Sequence, residues 1–295
     1  MTVTTLGLTL ALLGALGWTL FDVVRKRLAQ KVLPTMLTVW LPLAQVPVLA
    51  AWAATTGPFL IPRASLVPMT ASIVLNVGGL LAFMQAMRLS PMSLTIPLLS
   101  FTPVGTTLIG WLLRNQTPTQ AQVTGVALVV AGAITLGLKS DRWPGLRAYG
   151  KDPGVRRMSI AAILWSLTAV IDQVALERGA GYAYAPAITA GVGLLMGAVL
   201  LLRGQGAALR ESGRTLLGHP ALMLMAALIG SAALAVQLES LRIAPVGFIE
   251  TVKRGIGMTG AIVFGRLVFQ EPIGVPKILA VILLTLGVGL VAMGA

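Results

Sequence analysis

Between Pro245 and Pro272 the chain is apolar enough to cross a bilayer, yet Glu250, Lys253 and Arg254 lie inside the run. A charge at mid-bilayer costs about 2.5–3.5 kcal/mol on insertion scales, so three in one span need a reason. On a helix with Glu250 at 0°, Arg254 falls near about 40°, Gly257 near about −20°, Ala261 near about 20° and Gly265 near about 60°. One face then carries an i,i+4 ion pair followed by a ladder of small residues. That pattern suits a helix that faces a polar cavity near one end and packs closely against a neighbour below it. At about 1.5 Å per residue the charges sit roughly 8–14 Å into the span. Lys253 is long enough to snorkel from that depth, whereas Glu250 is not. Replacing such a pair by apolar residues is often neutral or stabilising, so helix stability alone explains it poorly. The chemistry on offer is recognition: Arg254 or Lys253 for a substrate carboxylate, or Glu250 and Asp22 for a substrate amine.

Other side chains extend this set. Asp22 shares a helical face with Gly14, Trp18 and Arg25, and Asp172 follows Trp165 by two turns on one stripe. Each has a structural alternative. Asp22 can pair with Arg25 or Lys26 at the membrane interface, and Asp172 can snorkel near Arg178. Glu239 reads as a structural partner of Arg242. Gln85, Ser100, Thr102 and Gln237, with the rings of Trp18, Phe101, Trp165 and Phe248, are possible further lining; for the rings, a core or lipid-facing place is the alternative. The candidate substrate-binding set is therefore Glu250, Arg254, Lys253, Asp22, Trp18, Trp165, Asp172, Gln85, Ser100 and Gln237. Pro97 and Pro103 free backbone carbonyls within one span, which is tolerated where they face a cavity or a neighbouring helix.

The elements that hold these residues follow from composition. The 295 residues are 56% hydrophobic and only 11% charged, with a mean hydropathy of +0.89. A soluble domain carries about 25% charged residues. This is the composition of an all-α membrane protein. Ten spans fit, near residues 5–25, 34–56, 67–88, 91–113, 118–139, 157–177, 184–202, 219–241, 245–268 and 272–294. Thr5–Leu20 has no basic residue before it and reads as the first span, not a cleaved signal. A net charge of +13 would point to nucleic acid in a soluble protein; here the cations sit mostly at span ends, where they meet lipid headgroups. Nucleic acid is not an expected partner. With no cysteine, disulfides and thiolate ligands are excluded. His219 precedes Pro220 and reads as a surface or capping residue. No nucleotide fingerprint, metal-ligand cluster or Ser/His/Asp set is visible, so neither an enzyme nor a cofactor is expected.

The halves repeat. A shift of 154 residues superposes Met87-Arg88-Leu89-Ser90-Pro91 on Leu241-Arg242-Ile243-Ala244-Pro245 and Gln116-Thr117-Pro118 on Gln270-Glu271-Pro272, without a gap. Leu16-Gly17-Trp18-Thr19-Leu20 likewise resembles Ile163-Leu164-Trp165-Ser166-Leu167. Five spans per half is an odd number, so the second half enters from the opposite side: an inverted repeat, 1–140 and 157–295, joined by a central loop at 141–156. Charge then sets orientation. Sixteen Lys and Arg lie on the side of the loops after odd-numbered spans and four on the side of the termini, which places the termini outside.

Trp18 followed by basic residues, the Arg88-Leu89-Ser90-Pro91 and Arg242-Ile243-Ala244-Pro245 steps, and Glu271-Pro272 followed by Gly287 and Gly289 resemble the drug/metabolite transporter superfamily. The likeness is to its ten-helix members with two EamA-type domains. In the first half Thr117 stands where such proteins often have an acid. The resemblance implies a secondary transporter of a small metabolite in the cell (inner) membrane, commonly an exporter, with a central cavity. Amino acids or related compounds are a candidate cargo, with protons as a possible coupling ion. The expected state is a monomer or weak homodimer. The alternatives are a membrane scaffold or regulatory subunit, and a passive channel.

Overall fold

The computed structural model describes residues 4–90, 95–137, 151–269 and 275–293. Among them run eleven α-helices and one 3-10 helix. They are α1 (Thr5–Leu28), α2 (Pro34–Thr56), α3 (Arg63–Leu89), the 3-10 helix (Ile96–Phe101), α4 (Thr102–Arg114), α5 (Gln120–Gly137) and α6 (Pro153–Glu177). After these come α7 (Tyr184–Leu202), α8 (Gly206–Leu217), α9 (Pro220–Ile243), α10 (Val246–Phe269) and α11 (Val275–Met293). No strand occurs among the described residues.

Among the described residues six helices are long and apolar enough to cross a membrane: α1, α2, α3, α6, α7 and α9. Shorter apolar stretches lie at Leu98–Leu113, Gln120–Thr135 and Ile278–Val291. The helix α10 has 24 residues, but Glu250, Lys253, Arg254 and Arg266 dilute its hydropathy.

Local chemistry places the ends. Pro34 and Pro220 occupy the first turn of their helices, where the missing N–H costs nothing. Pro68 does not: α3 begins earlier, at Arg63, and carries it inside. Asp152, expected in a loop, is the N-cap of α6; its carboxylate accepts from the Val155 amide at 3.0 Å. Ser90 donates to the same carboxylate at 2.5 Å and so ties the end of α3 to the start of α6. The sixth span therefore begins at Pro153, four residues ahead of its expected start. The fourth span is not one continuous helix in the described residues. Pro97 and Pro103 each sit in a first turn, the 3-10 helix before Thr102 and α4 after it. Pro91, Pro272, the Gln270-Glu271 step and most of the central loop lie outside the described residues.

One element was not anticipated. The segment 206–217, expected as a loop, is the amphipathic helix α8, which buries Leu209, Ser212 and Leu216 and exposes Arg210, Glu211 and Arg214. The Trp40 indole of α2 donates to Ser212 Oγ at 3.0 Å and holds it down.

The helices pack mostly across the two halves. The most extensive pairing is α3 on α6, with α11 on α5, α1 on α9, α2 on α7 and α1 on α10 next. The helix α4 lies against both α6 and α10, and α9 also meets α2 while α7 meets α3. Contacts along these pairs give their sense. Gly125 meets Gly287 and Val291 whereas Gly132 meets Ala280, Leu283 and Leu284, so α5 and α11 are antiparallel. Likewise Trp52 packs on Tyr182 at 5.2 Å while Gly197 meets Val39, so α2 and α7 are antiparallel.

Candidate functional site

The first half of α10 dives into the core, with every residue from Val246 to Val252 buried. Glycine makes the approach possible at three points, of which Gly255 faces Val288 of α11. A Cβ at Gly247 would run into Thr107 of α4, and one at Gly260 would run into Thr19 of α1. The close contacts of α10 thus fall at Gly247, Gly255 and Gly260. The anticipated small-residue ladder does not hold at Gly257, where an added Cβ would meet none of the described residues within 4 Å. The side chains of Ala261 and Gly265 lie outside the description. Among the described residues, nothing packs on the helix face at Gly257, just below Arg254.

The ion pair is also different from the expected one. Glu250, 1% exposed, pairs with Lys253 at i,i+3 and not with Arg254. A helical side chain leans toward the N-terminus, and the flexible lysine stem folds back over the carboxylate instead of reaching for the surface. The two partners are not equally covered: the Lys253 side chain is 22% exposed and that of Glu250 2%. Lysine lies over the glutamate on the side of a narrow crevice that it lines together with Gly14, Trp18, Gln237, Ser240 and Ile249. The crevice is too tight for a water-sized sphere.

Arg254 turns instead toward α4. Its Nη2 donates to Thr102 Oγ1 at 3.4 Å, at the long end for a hydrogen bond, while the Thr102 hydroxyl donates to Leu99 O at 2.6 Å. Among the described residues Arg254 Nε is buried without a partner. Glu250 and Asp22 are the carboxylates whose charge it feels, but both are taken, Asp22 by Arg25 at 2.9 Å. The Asp22–Arg25 pair is about half exposed, matching the interfacial alternative for Asp22.

The remaining candidates divide. Trp18 donates its indole N–H to Gln237 Oε1 at 2.5 Å, joining α1 to α9 beside Lys253. Ser100 is fully buried in the 3-10 helix next to Thr102. Asp172 does not snorkel. It is 8% exposed and accepts from Ser72 Oγ at 2.5 Å and from Tyr184 OH at 2.6 Å, tying α6 to α3 and α7. It also interacts electrostatically with Lys253 and Glu250. Trp165 packs on Phe83 at 5.6 Å and against Gly79, a core role between α3 and α6. Gln85 is half-buried in α3. Glu239 pairs with Arg242 at 3.2 Å, and Arg242 donates to Ala180 O at 2.9 Å, so this pair braces a helix end.

Ser72, Tyr184 and Gln173 escaped the sequence reading. Gln173 is buried and donates to the carbonyls of Leu241 and Ala244, which α9 leaves unpaired at its end. Asp172-Gln173 within an apolar span is a legible polar pair, but its partners come from other helices.

An all-helical, multi-pass membrane protein with a charged cluster buried between α1, α4, α6 and α10 is the class these observations define. Residues 5–138 match the EamA-like transporter family, of the drug/metabolite transporter superfamily. A solved crystal structure shares the fold, with a TM-score of 0.76 and 16% identity over 97% of this chain and 96% of that one. No curated protein matches the sequence. A membrane transporter of small molecules is the activity that the family suggests.

Proposed function

We propose that the chain is a secondary transporter that moves a small metabolite, an amino acid or a related compound, across the cell (inner) membrane by alternating access. Outward movement follows the resemblance to ten-helix exporters. The observation that carries the reading is Arg254, a guanidinium inside a span with one long hydrogen bond and an unpartnered Nε, above the face at Gly257 on which no described residue packs. Such a group costs stability and is relieved when an anion arrives, so a substrate carboxylate is its natural partner. Glu250, Lys253, Trp18, Gln237 and Ser100 would surround the place where the rest of the cargo lies, and Asp172 interacts electrostatically with Lys253.

The packing supports a ten-span chain of two inverted five-helix repeats, 1–140 and 157–295. The repeat would exchange α2 with α7, α4 with α10 and α5 with α11, and each of these pairs is in contact. For α2 with α7 and α5 with α11 the contacts run antiparallel, as an axis in the membrane plane demands. The other contacts come in exchanged couples: α3 on α6 with α9 on α1, and α4 on α6 with α10 on α1. Rocking of one set against the other would open the crevice beside Lys253 on alternate faces. The charge count supports termini outside. Protons are the coupling ion to test first.

Flux of labelled amino acids into proteoliposomes, with and without a pH gradient, tests the proposal. Glu250→Gln should reduce transport per folded molecule with expression intact. Loss of folding without loss of transport per folded molecule would make the cluster structural.

A further inference from the structure

Lys253 pairs with Glu250 and lines the crevice beside Trp18 and Gln237, a crevice that Glu250 itself does not line. Anything that reaches Glu250 from the side of Trp18 and Gln237 must first displace the Lys253 ammonium. An amino acid carries an ammonium of the same charge and hydrogen-bonding capacity, together with a carboxylate that suits the unpartnered edge of Arg254. We propose that Lys253 is an internal stand-in for the cargo's ammonium: it neutralises Glu250 in the empty carrier and yields that place to the substrate in the loaded one. This rests on the transporter reading above.

The physical reason lies in the cost of a bare charge. A buried carboxylate stripped of its partner costs several kcal/mol, on the order of 3–5 kcal/mol when one member of a pair is deleted. A carrier with Glu250 alone would meet that penalty each time it reoriented empty. With Lys253 in place the empty carrier is neutral at this point, and with cargo bound it is neutral again. Neither form carries an unpaired charge at Glu250, so this carboxylate needs no coupling ion for the empty carrier to return. Lys253 also has a second anion to turn to when displaced, because Asp172 lies within electrostatic reach from α6.

The experiment compares net flux with exchange in proteoliposomes, using a mixture of labelled proteinogenic L-amino acids, for the wild type, Lys253→Met and Lys253→Arg. In Lys253→Met the cargo still neutralises Glu250, so loaded carriers cross and exchange stays within about threefold of the wild type. The empty carrier cannot return, so net flux falls at least about tenfold. Lys253→Arg keeps a cation and retains both. Net flux and exchange falling by the same factor in Lys253→Met, or net flux unaffected by it, overturns the proposal. So does a Lys253→Arg variant that loses net flux as Lys253→Met does. If Lys253→Met does not fold, the Glu250→Gln/Lys253→Met pair, with no unpaired charge, is measured in its place. Leucine and its des-amino analogue 4-methylpentanoate should then compete equally for flux, and a surviving preference for leucine overturns the proposal. Absence of flux in the wild type sinks the transporter reading itself, which the variants leave distinguishable.

Discussion

The Arg254 guanidinium meets the Thr102 hydroxyl at 3.4 Å, while that hydroxyl gives its own proton to Leu99 O at 2.6 Å. Thr102 thus offers arginine a lone pair and nothing more. The interaction holds the side chain in place without neutralising it, which is the state of a receptor awaiting an anion. Removing a cation of this kind relieves a desolvation cost. Arg254→Ala is therefore expected to keep or raise the melting temperature. Its apparent affinity for amino acids should fall about 10- to 100-fold, the worth of a charge-assisted contact of roughly 1.5–3 kcal/mol. Thermal unfolding and flux on the same preparation check both halves.

The face below Arg254 makes a second, opposed pair of predictions. A side chain added at Gly257 meets none of the described residues within 4 Å, whereas a Cβ at Gly260 collides with Thr19. Gly257→Leu should fold normally and block transport by filling the space that cargo would use. Gly260→Ala should be destabilised by about 1–3 kcal/mol, the usual cost of overpacking. Melting curves separate the two, and normal flux through Gly257→Leu would remove that face from the pathway.

Asp172 is held by two hydroxyl donors, Ser72 and Tyr184, in the interior of three helices. Tyr184→Phe deletes one donor and leaves the acceptor buried, so stability should drop by about 1–3 kcal/mol. If Tyr184 is only structural support, flux per folded molecule should change less than about threefold. Denaturation and flux measured together check this.

Orientation has its own test. By the positive-inside rule the basic loops after odd-numbered spans, including Arg203, Arg210 and Arg214 around α8, are expected on the cytoplasmic side and both termini outside. Reporter fusions at each terminus should give the activity of an external reporter. An active cytoplasmic reporter at either end would reverse the assignment.

Much of the frame was readable before any coordinates. Long apolar runs punctuated by proline mark most helices, because a bilayer's thickness sets their length and few other sequences meet it. The helix α8 was missed because its twelve residues are too polar and short to register as a span, although Leu209 and Leu216 stand two turns apart on one face. The Glu250 partner was misread because 40° of helical offset favours Arg254 on paper. Lysine folds back over the carboxylate, and Arg254 reaches instead to Thr102, on a helix more than 150 positions away. Asp172 shows the same limit. Its polarity stood out, but Ser72 and Tyr184 come from helices that no spacing argument brings together. Asp22 shows the converse. Its i,i+3 relation to Arg25 was local, and that is the pair that forms.

The most direct test is saturable flux of labelled L-amino acids into proteoliposomes, with wild type and Arg254→Ala side by side. The account predicts saturable flux for at least one amino acid in the wild type, strongly reduced in the variant at equal amounts of folded protein. No saturable flux in the wild type, or equal flux in both, would contradict it.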